Sequence, residues 1–441
     1  MTDRAARAWC TSYRAAWVLP VSGPPVRDGA VVVEGDRIAW VGPAGGEPPH
    51  LRGDVVELGD AVLGPALVNA HTHLDLTVLR GLLDGLPFFD WIRGVVAARD
   101  VLTSDETRDS ARAGVIEGFL AGVATFADTA PTDAAFTAMR EFGARGVAYF
   151  EAFGPDPAAA PAALAALRAR VEASQAGQTP LLRVGVSPHA PYSVSDALYT
   201  AIAAYAREAG LPLATHVAES EAESALVRDA AGPFADFLRG RGIAAEPRAA
   251  SPVELLARTG VLGADALLIH CVRLDPGDVA RIATAGAAVA TCPRSNQYFG
   301  HGTAPVGSLR AAGIRVGVGT DSMASNVAMD LLAEARDAGC GDLAGCWAAV
   351  SLGGARALGL DATIGTLERG KAADLAAFAA PGARESGALP AAVAPTALLL
   401  LVAGAERVRN GHLTADVSEI SARAEAAALR LREWRARVVA R

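Results

Sequence analysis

The chain has 441 residues, half of them apolar (51%), and a formal net charge of −8. It can bury a large core but is long for one compact barrel, so two domains are expected. No apolar run reaches the roughly 18 residues that span a bilayer, and no basic run tracks a phosphate backbone, which argues against membrane and nucleic-acid partners.

The first seven residues, Met1 to Arg7, lack the apolar centre of a signal peptide. The five cysteines are odd in number and form no C-x-x-C pair, which fits a reducing cytoplasm and excludes a zinc ribbon. Residues 15–63 read as short strands and turns. Within them, 30–42 predicts a hairpin turning at Glu34-Gly35-Asp36. A β-rich stretch returns at 364–375, with a further turn near Asn410-Gly411. Residues 1–62 and 363–415 are therefore assigned to one small β-sandwich domain formed by both chain ends. Residues 416–441, Ala-rich with apolar positions at helical spacing, predict a terminal helix.

Between the ends, residues 63–362 alternate apolar runs with Ala-rich helical segments such as 161–173 and 195–209. The runs end near Asn69, Phe126, Phe150, Val186, Thr215, Ile269, Ala290 and Gly319. Eight such units predict an α/β fold, a (β/α)8 TIM barrel. An open doubly wound sheet would carry a Gly-rich turn after its first strand, where this chain has Asn69-Ala70-His71.

The C-terminal strand ends of such a barrel carry its chemistry. Found there are His71 and His73, then Asp128, Glu151, His189, His216, His270 and Asp321. The chain has eight histidines, and five of them fall at these ends. A lone strand-end His is usually packing or solvated; five at equivalent positions point to a site. His71 and His73, two apart on a strand, face one side and can share a metal. His71, His73, His216 and Asp321 supply three nitrogens and one oxygen from three strands. Residues 365–371 match the glycine and lysine spacing of a phosphate loop, but no Ser or Thr follows and no helix opens there.

Four segments, Asn69-Ala70-His71-Thr72-His73, Thr215-His216-Val217-Ala218-Glu219, Ile269-His270-Cys271 and Gly319-Thr320-Asp321-Ser322, resemble the amidohydrolase superfamily over nearly the whole chain. Members with two metals often bridge them through a lysine on strand four. Lys371 is the one lysine and lies outside the barrel, so a single-metal site is implied. Zinc fits these ligands, and Fe(II) accepts the same imidazole and carboxylate set. In the deaminases of this superfamily a Glu placed like Glu219 moves a proton from the metal's water to the ring nitrogen and the leaving amine. His270 then orients the water, and Asp321 both ligates and accepts a proton. A metal lowers the pKa of its water from about 15.7 to about 7, and a departing amine needs a proton from a carboxyl group. The plain alternative for Glu219 is an acid favoured by a helix N-terminus.

Ser187-Pro188-His189-Ala190-Pro191-Tyr192 and residues 79–91 resemble the purine-nucleoside branch, with the second segment as a lid. The resemblance makes His189 a substrate contact. It leaves Arg80, Trp91, Glu151 and His301 as further substrate-binding candidates, Trp91 by stacking on an aromatic ring. Ser295 and Asn296 match a supporting pair. The expected activity is hydrolytic deamination of an adenosine derivative such as S-adenosylhomocysteine, methylthioadenosine or 6-amino-6-deoxyfutalosine. The partner is a small molecule, and superfamily habit adds a homodimer. Two alternatives stand beside this: hydrolysis of another C–N or C–Cl bond, as in a cyclic amide or triazine, and a non-catalytic metal-binding scaffold.

Overall fold

A computed structural model describes residues 10–439. The segment read above for a signal peptide lies outside the described residues. Two sheets organise the fold. The first is mixed and takes strands from both ends of the chain. Leu375–Ala379 pairs antiparallel with Ala61–Pro65, and this is where the two ends meet. Cys10–Val18, Val26–Glu34 and Arg37–Pro43 extend the sheet on one side, and Ala397–Val402, Ala405–Arg409 and His412–Leu413 on the other. The predicted hairpin is present: Glu34 pairs with Arg37, and Gly35 takes the positive φ of 60° that so tight a turn requires. Tyr13, Val31, Ile38, Leu63, Leu375 and Leu401 pack together beneath this sheet. The β-rich reading of 364–374 gives way to turns and one bridge at Ala372, with the strand itself starting at Leu375. The backbone there bonds instead to Pro20 and Ile38 as it wraps the small domain.

The second sheet is parallel. Its strands are β1 (Leu67–His73), β2 (Val123–Ala130), β3 (Arg145–Ala152), β4 (Leu182–Pro188), β5 (Leu213–Val217), β6 (Ala266–His270), β7 (Ala288–Thr291) and β8 (Arg315–Val318, resuming at Asp321–Ser322). The lower part of β8 pairs with β7 and its upper part with β1, which closes the barrel. Gly319 makes this closure possible, because a Cβ there would lie 2.6 Å from the His71 nitrogen. Val68, Ala70, Val147, Tyr149, Ala214, Leu267 and Ile269 fill the interior below the site. The helices pack outside; Asp196–Ala209 is capped by Ser195 and ends at a left-handed Gly210.

Two elements cover the barrel mouth. Helix Phe88–Val101 follows β1, and helix Pro233–Gly240 lies in the segment between β5 and β6. The terminal helix, Ser418–Val439, packs on helix Ser104–Leu120 and the Leu74–Leu79 turn, and its Ala424, Ala427 and Leu431 share an apolar cluster with Leu83, Trp91 and Val95. The buried pair Arg145–Asp374, at 2.6 and 3.0 Å, ties β3 to the small sheet. Among the described residues no helix is long and apolar enough to cross a membrane.

Candidate active site

Three strand ends bring imidazoles and a carboxylate to one point. His73 Nδ1 donates to the Thr129 carbonyl at 2.7 Å, and His216 Nδ1 donates to the His189 carbonyl at 3.1 Å. Each bond fixes the tautomer and leaves an Nε2 lone pair facing inward. Those two nitrogens stand 3.3 Å apart. His71 is 1% exposed, and neither of its ring nitrogens has a hydrogen-bond partner among the described residues. Its Nε2 lies 3.3 Å from Asp321 Oδ1, and His73 Nε2 lies 3.5 Å from the same oxygen. Lone pairs converging in a dry pocket repel unless a cation joins them. Four donors about 2.1 Å from one ion in a tetrahedron stand about 3.4 Å from one another. The donor set therefore fits a divalent metal ion.

Protonation states agree with that fit. Burial and the neighbouring His71 hold His73 well below the usual imidazole range, and burial with the surrounding imidazoles does the same to His216. Both are neutral, as ligands must be. Burial alone would raise Asp321, but His71 and the other imidazoles outweigh it and hold the carboxyl well below its ordinary value. Ser295 Oγ at 2.6 Å and Ser325 Oγ at 3.1 Å both donate to Oδ2, which leaves Oδ1 to face His71.

Beside this cluster stand Glu219 and His270. Glu219 is 3% exposed, with Oε1 3.6 Å from His270 Nε2 and 3.8 Å from His301 Nε2. Burial, with Asp321 and Glu223 nearby, raises its pKa well above its ordinary value. His270 Nδ1 donates to Asn296 Oδ1 at 3.0 Å; burial pushes this imidazole down to about 4. The backbone here is strained: Ala218, His270, Cys271 and Asp321 take φ of 52°, 73°, 50° and 58°. Left-handed non-glycine residues cost on the order of 1–3 kcal/mol each. The strain is useful at β6. Ile269 fills the barrel interior, so strand alternation would turn His270 outward, and its positive φ brings the ring to 5.5 Å from that of His216.

The opposite wall carries Glu151 and His189. His189 Nδ1 hydrogen-bonds with Ser193 Oγ at 2.7 Å, and its Nε2 lies 3.9 Å from Glu151 Oε1. Both Glu151 carboxyl oxygens are buried without a hydrogen-bond partner among the described residues. Burial pushes Glu151 up to about 8 and His189 down to about 3. A cavity of about 90 Å³ separates the two walls. Phe88, Trp91, Ile92, Val95, Val96 and Arg99 line it from one face of the lid helix. Trp91 Nε1 donates to the Ala324 carbonyl, and Phe299 lies 4.9 Å away across the rim. Phe88 touches His301 at 4.6 Å, while Tyr192 stacks on Phe234 of the second covering helix at 4.3 Å.

Of the sequence candidates, the structure thus gathers His71, His73, His216, His270, Asp321, Glu219, Glu151, His189, Trp91 and His301. It does not gather Arg80. That guanidinium is held outside the cavity by Glu117 and the Val327 carbonyl. Asp128 also faces away, accepting the Leu74 amide at 2.7 Å. Three contributors went unnoticed in the sequence. Arg99, paired with Asp75 at 3.1 Å, lines the cavity, and the helical spacing from Trp91 and Val95 would have found it. Glu223 accepts the Ala218 and Glu219 amides and so shapes the loop after β5. Thr129, not its neighbour Asp128, meets His73.

Comparison with known proteins agrees with this geometry. A model of the amidohydrolase family matches residues 62–401. A 5-methylthioadenosine/S-adenosylhomocysteine deaminase of Moorella thermoacetica is 34% identical over 372 residues, covering 81% of this chain and 83% of that protein. An aminodeoxyfutalosine deaminase of Deinococcus radiodurans is 35% identical over 319 residues, covering 69% and 74%. A solved adenosine deaminase from Xanthomonas campestris with bound zinc superposes with a TM-score of 0.80 at 25% identity, over 96% of this chain and 98% of that one. On the barrel, the site and these matches together, the chain belongs to the amidohydrolase family.

Proposed function

We propose that the chain is a metal-dependent hydrolytic deaminase of an aminated purine nucleoside, an adenosine derivative such as methylthioadenosine, S-adenosylhomocysteine or 6-amino-6-deoxyfutalosine. The observation that carries this reading is the buried Glu219 carboxyl beside the converging donors, with Oε1 3.6 Å from His270 Nε2. Two curated relatives that act on such nucleosides support it.

His71, His73, His216 and Asp321 would hold one divalent ion, with zinc the best match to three imidazoles and a carboxylate. When bound, the ion acidifies a water molecule and so supplies the nucleophile. The chain's own residues do the rest. His270, locked by Asn296, presents Nε2 to orient that water. Asp321 takes a proton from it through an oxygen its two serines leave free. Glu219 gives its proton to the ring nitrogen, lowering the cost of attack at the neighbouring carbon, then takes the proton of the added hydroxyl and passes it to the departing amine; the proton that Asp321 took restores Glu219. The lid aromatics Phe88 and Trp91 exclude water and cover the purine ring. His189, Glu151 and His301 contact the substrate. A cytoplasmic location and a homodimer belong to the same reading, and the dimer is read from molar mass in solution.

The test is ammonia release by metal-reconstituted protein from adenosine, methylthioadenosine, S-adenosylhomocysteine, 6-amino-6-deoxyfutalosine, adenine, guanine and cytosine. Release from an adenosine derivative is expected. Release from none, by protein shown to hold metal, overturns the reading and turns the search to triazines and cyclic amides.

A further inference from the structure

The far end of the barrel carries a second cavity, of about 530 Å³, among the N-terminal ends of β4, β5, β6 and β8. That end of such a barrel serves stability, so its side chains should be spent on packing and pairing. Three arginines line the cavity, Arg183, Arg207 and Arg315, and none of them forms an ion pair among the described residues. Strand register places two of them. Arg183 pairs with Val147, and Gly185 with Tyr149, so Arg183 lies on the interior face of β4, below the packed layer. Arg315 pairs with Ala288, another interior residue, at the start of β8. Arg207 belongs to the last turn of helix Asp196–Ala209. A guanidinium has five N–H donors. Arg315 bonds the carbonyls of Ala264, Gly286 and Arg356, and Arg207 that of Gly260. Arg183 makes no hydrogen bond to the described residues. Against these three cations the lining sets one carboxylate, Asp265, in a chain whose net charge is −8. Above them the ring of Tyr149 leans across β4, where a Cβ at Gly185 would lie 2.6 Å from it. Tyr149 is 3% exposed, it lines the cavity, and its hydroxyl has no hydrogen-bond partner among the described residues. Burial raises the pKa of that phenol, and the charge of Arg183 opposes the rise, which puts the two groups within reach of one ligand. A buried hydroxyl without a partner is costly, and a native site that keeps one is built for a ligand.

We propose that this cavity binds a phosphorylated small molecule of about nucleotide size, with its phosphoryl oxygens on Arg183 and Arg207 and its organic body against Tyr149. The site lies at the opposite end of the barrel from the converging histidines and does not rest on the deaminase reading. A guanidinium fork matches two oxygens of one phosphoryl group, and Arg183 has all its donors to give. Small-molecule pockets measure about 300–1,000 Å³, so this one has room for an organic body as well as an anion. Leu211, Leu262 and Leu358 supply its apolar surface. Arg315 ties three loops together through its carbonyl bonds, which fixes the floor and adds a charge that the loops leave uncompensated.

The experiment titrates the full chain by calorimetry with UDP, uridine and inorganic pyrophosphate. A pyrimidine is used so that purine binding at the mouth does not mask the result. UDP is expected to bind, with uridine at least about 100-fold weaker and pyrophosphate at least about 10-fold weaker. Arg183 is exposed and makes no bond to the described residues, so Arg183→Met should keep the wild-type melting temperature. It should weaken UDP by about 10- to 100-fold, the scale of a hydrogen bond to a charged group, and Arg207→Met should do the same. Hydrogen exchange locates the ligand: UDP should slow the amides of 260–265 and 357–359, which line the cavity, and leave those of 79–91 at the mouth unchanged. The inference is overturned if UDP gives no binding up to about 5 mM, or if uridine binds as tightly as UDP. Pyrophosphate binding as tightly as UDP would reduce the cavity to an inorganic anion site and overturn it too. So would wild-type UDP affinity in both arginine variants, or protection confined to the mouth.

Discussion

The two walls of the cavity are built from the same residue types and differ in where their partners lie. On the wall of β5, β6 and β8, three of the groups, His270, Asp321 and His216, are held by hydrogen bonds to the protein. Asn296 holds His270, Ser295 and Ser325 hold Asp321, and the His189 carbonyl holds His216. On the wall of β3 and β4, Glu151 has no hydrogen-bond partner among the described residues, and His189 is tied to them at one nitrogen alone. Groups that move protons must keep one geometry through the reaction, so the fold fixes them. Groups that recognise a ligand must have capacity left, so the fold withholds their partners.

The largest effect expected from breaking this contrast is on Glu219. Glu219→Gln keeps the shape and removes the transferable proton. Deaminase activity should fall at least about 1,000-fold, within the range of a lost general acid–base group. Bound metal should be unchanged, because Glu219 is not among the converging donors. Turnover above a tenth of wild type would remove Glu219 from proton transfer.

Metal removal comes next. His71, with both nitrogens unpartnered, belongs to the metal as Glu151 belongs to the substrate. Chelation should therefore destabilise the fold as well as stop turnover. Metal present at about 1,000 times its dissociation constant contributes about 4 kcal/mol by mass action. A thermal midpoint that does not move on chelation, with metal loss verified, would mean that the four donors hold no ion.

A third test compares the walls directly by stability. Asn296→Ala strips a buried partner from His270 and should cost about 1–3 kcal/mol. Glu151→Leu removes an acceptor that has no partner and should leave stability unchanged or raise it, at the expense of activity. Urea midpoints of the two variants should move in different directions. A loss at Glu151 equal to that at Asn296 would make the β3 wall structural.

The sequence spoke clearly where strand alternation holds and misled where it breaks. On β3, Val147, Tyr149 and Glu151 keep one parity, so Glu151 faces inward as expected. On β2 the same rule favours Thr129 over Asp128, because Ala127 is an interior residue and Asp128 is not. On β1, Val68 and Ala70 face the interior, yet His71 and His73 also face the site. The pairing with β2 shifts between Asn69 and Thr72, and that one-residue slip reverses the face. His270 needs a left-handed backbone for the same purpose. Neither irregularity shows in residue types; the His and Asp pattern found the residues, and local strain then aimed them. Arg80 shows the opposite limit: a cation near the lid was legible, but Glu117, far along the chain, claims it.

The smallest effect belongs to a partnered pair far from both walls. Arg430 of the terminal helix meets Glu106 on helix Ser104–Leu120, with Nε 2.7 Å from Oε1. The Arg430 hydrogen bond outweighs burial and, with the bonds from Thr103, holds Glu106 below its ordinary pKa. A carboxyl depressed in the folded state contributes stability above its unfolded pKa and loses it as pH falls through the folded one. Arg430→Met should therefore lower the urea midpoint slightly at pH 7 and not at all well below the carboxylate range. Both groups are partly exposed, at 40% and 23%, so the loss at pH 7 should be at most about 1 kcal/mol. A partner matters there far less than at Asn296, because water can take its place. If Arg430→Met costs as much as Asn296→Ala, burial does not set the worth of a partner, and the contrast between the walls loses its physical basis.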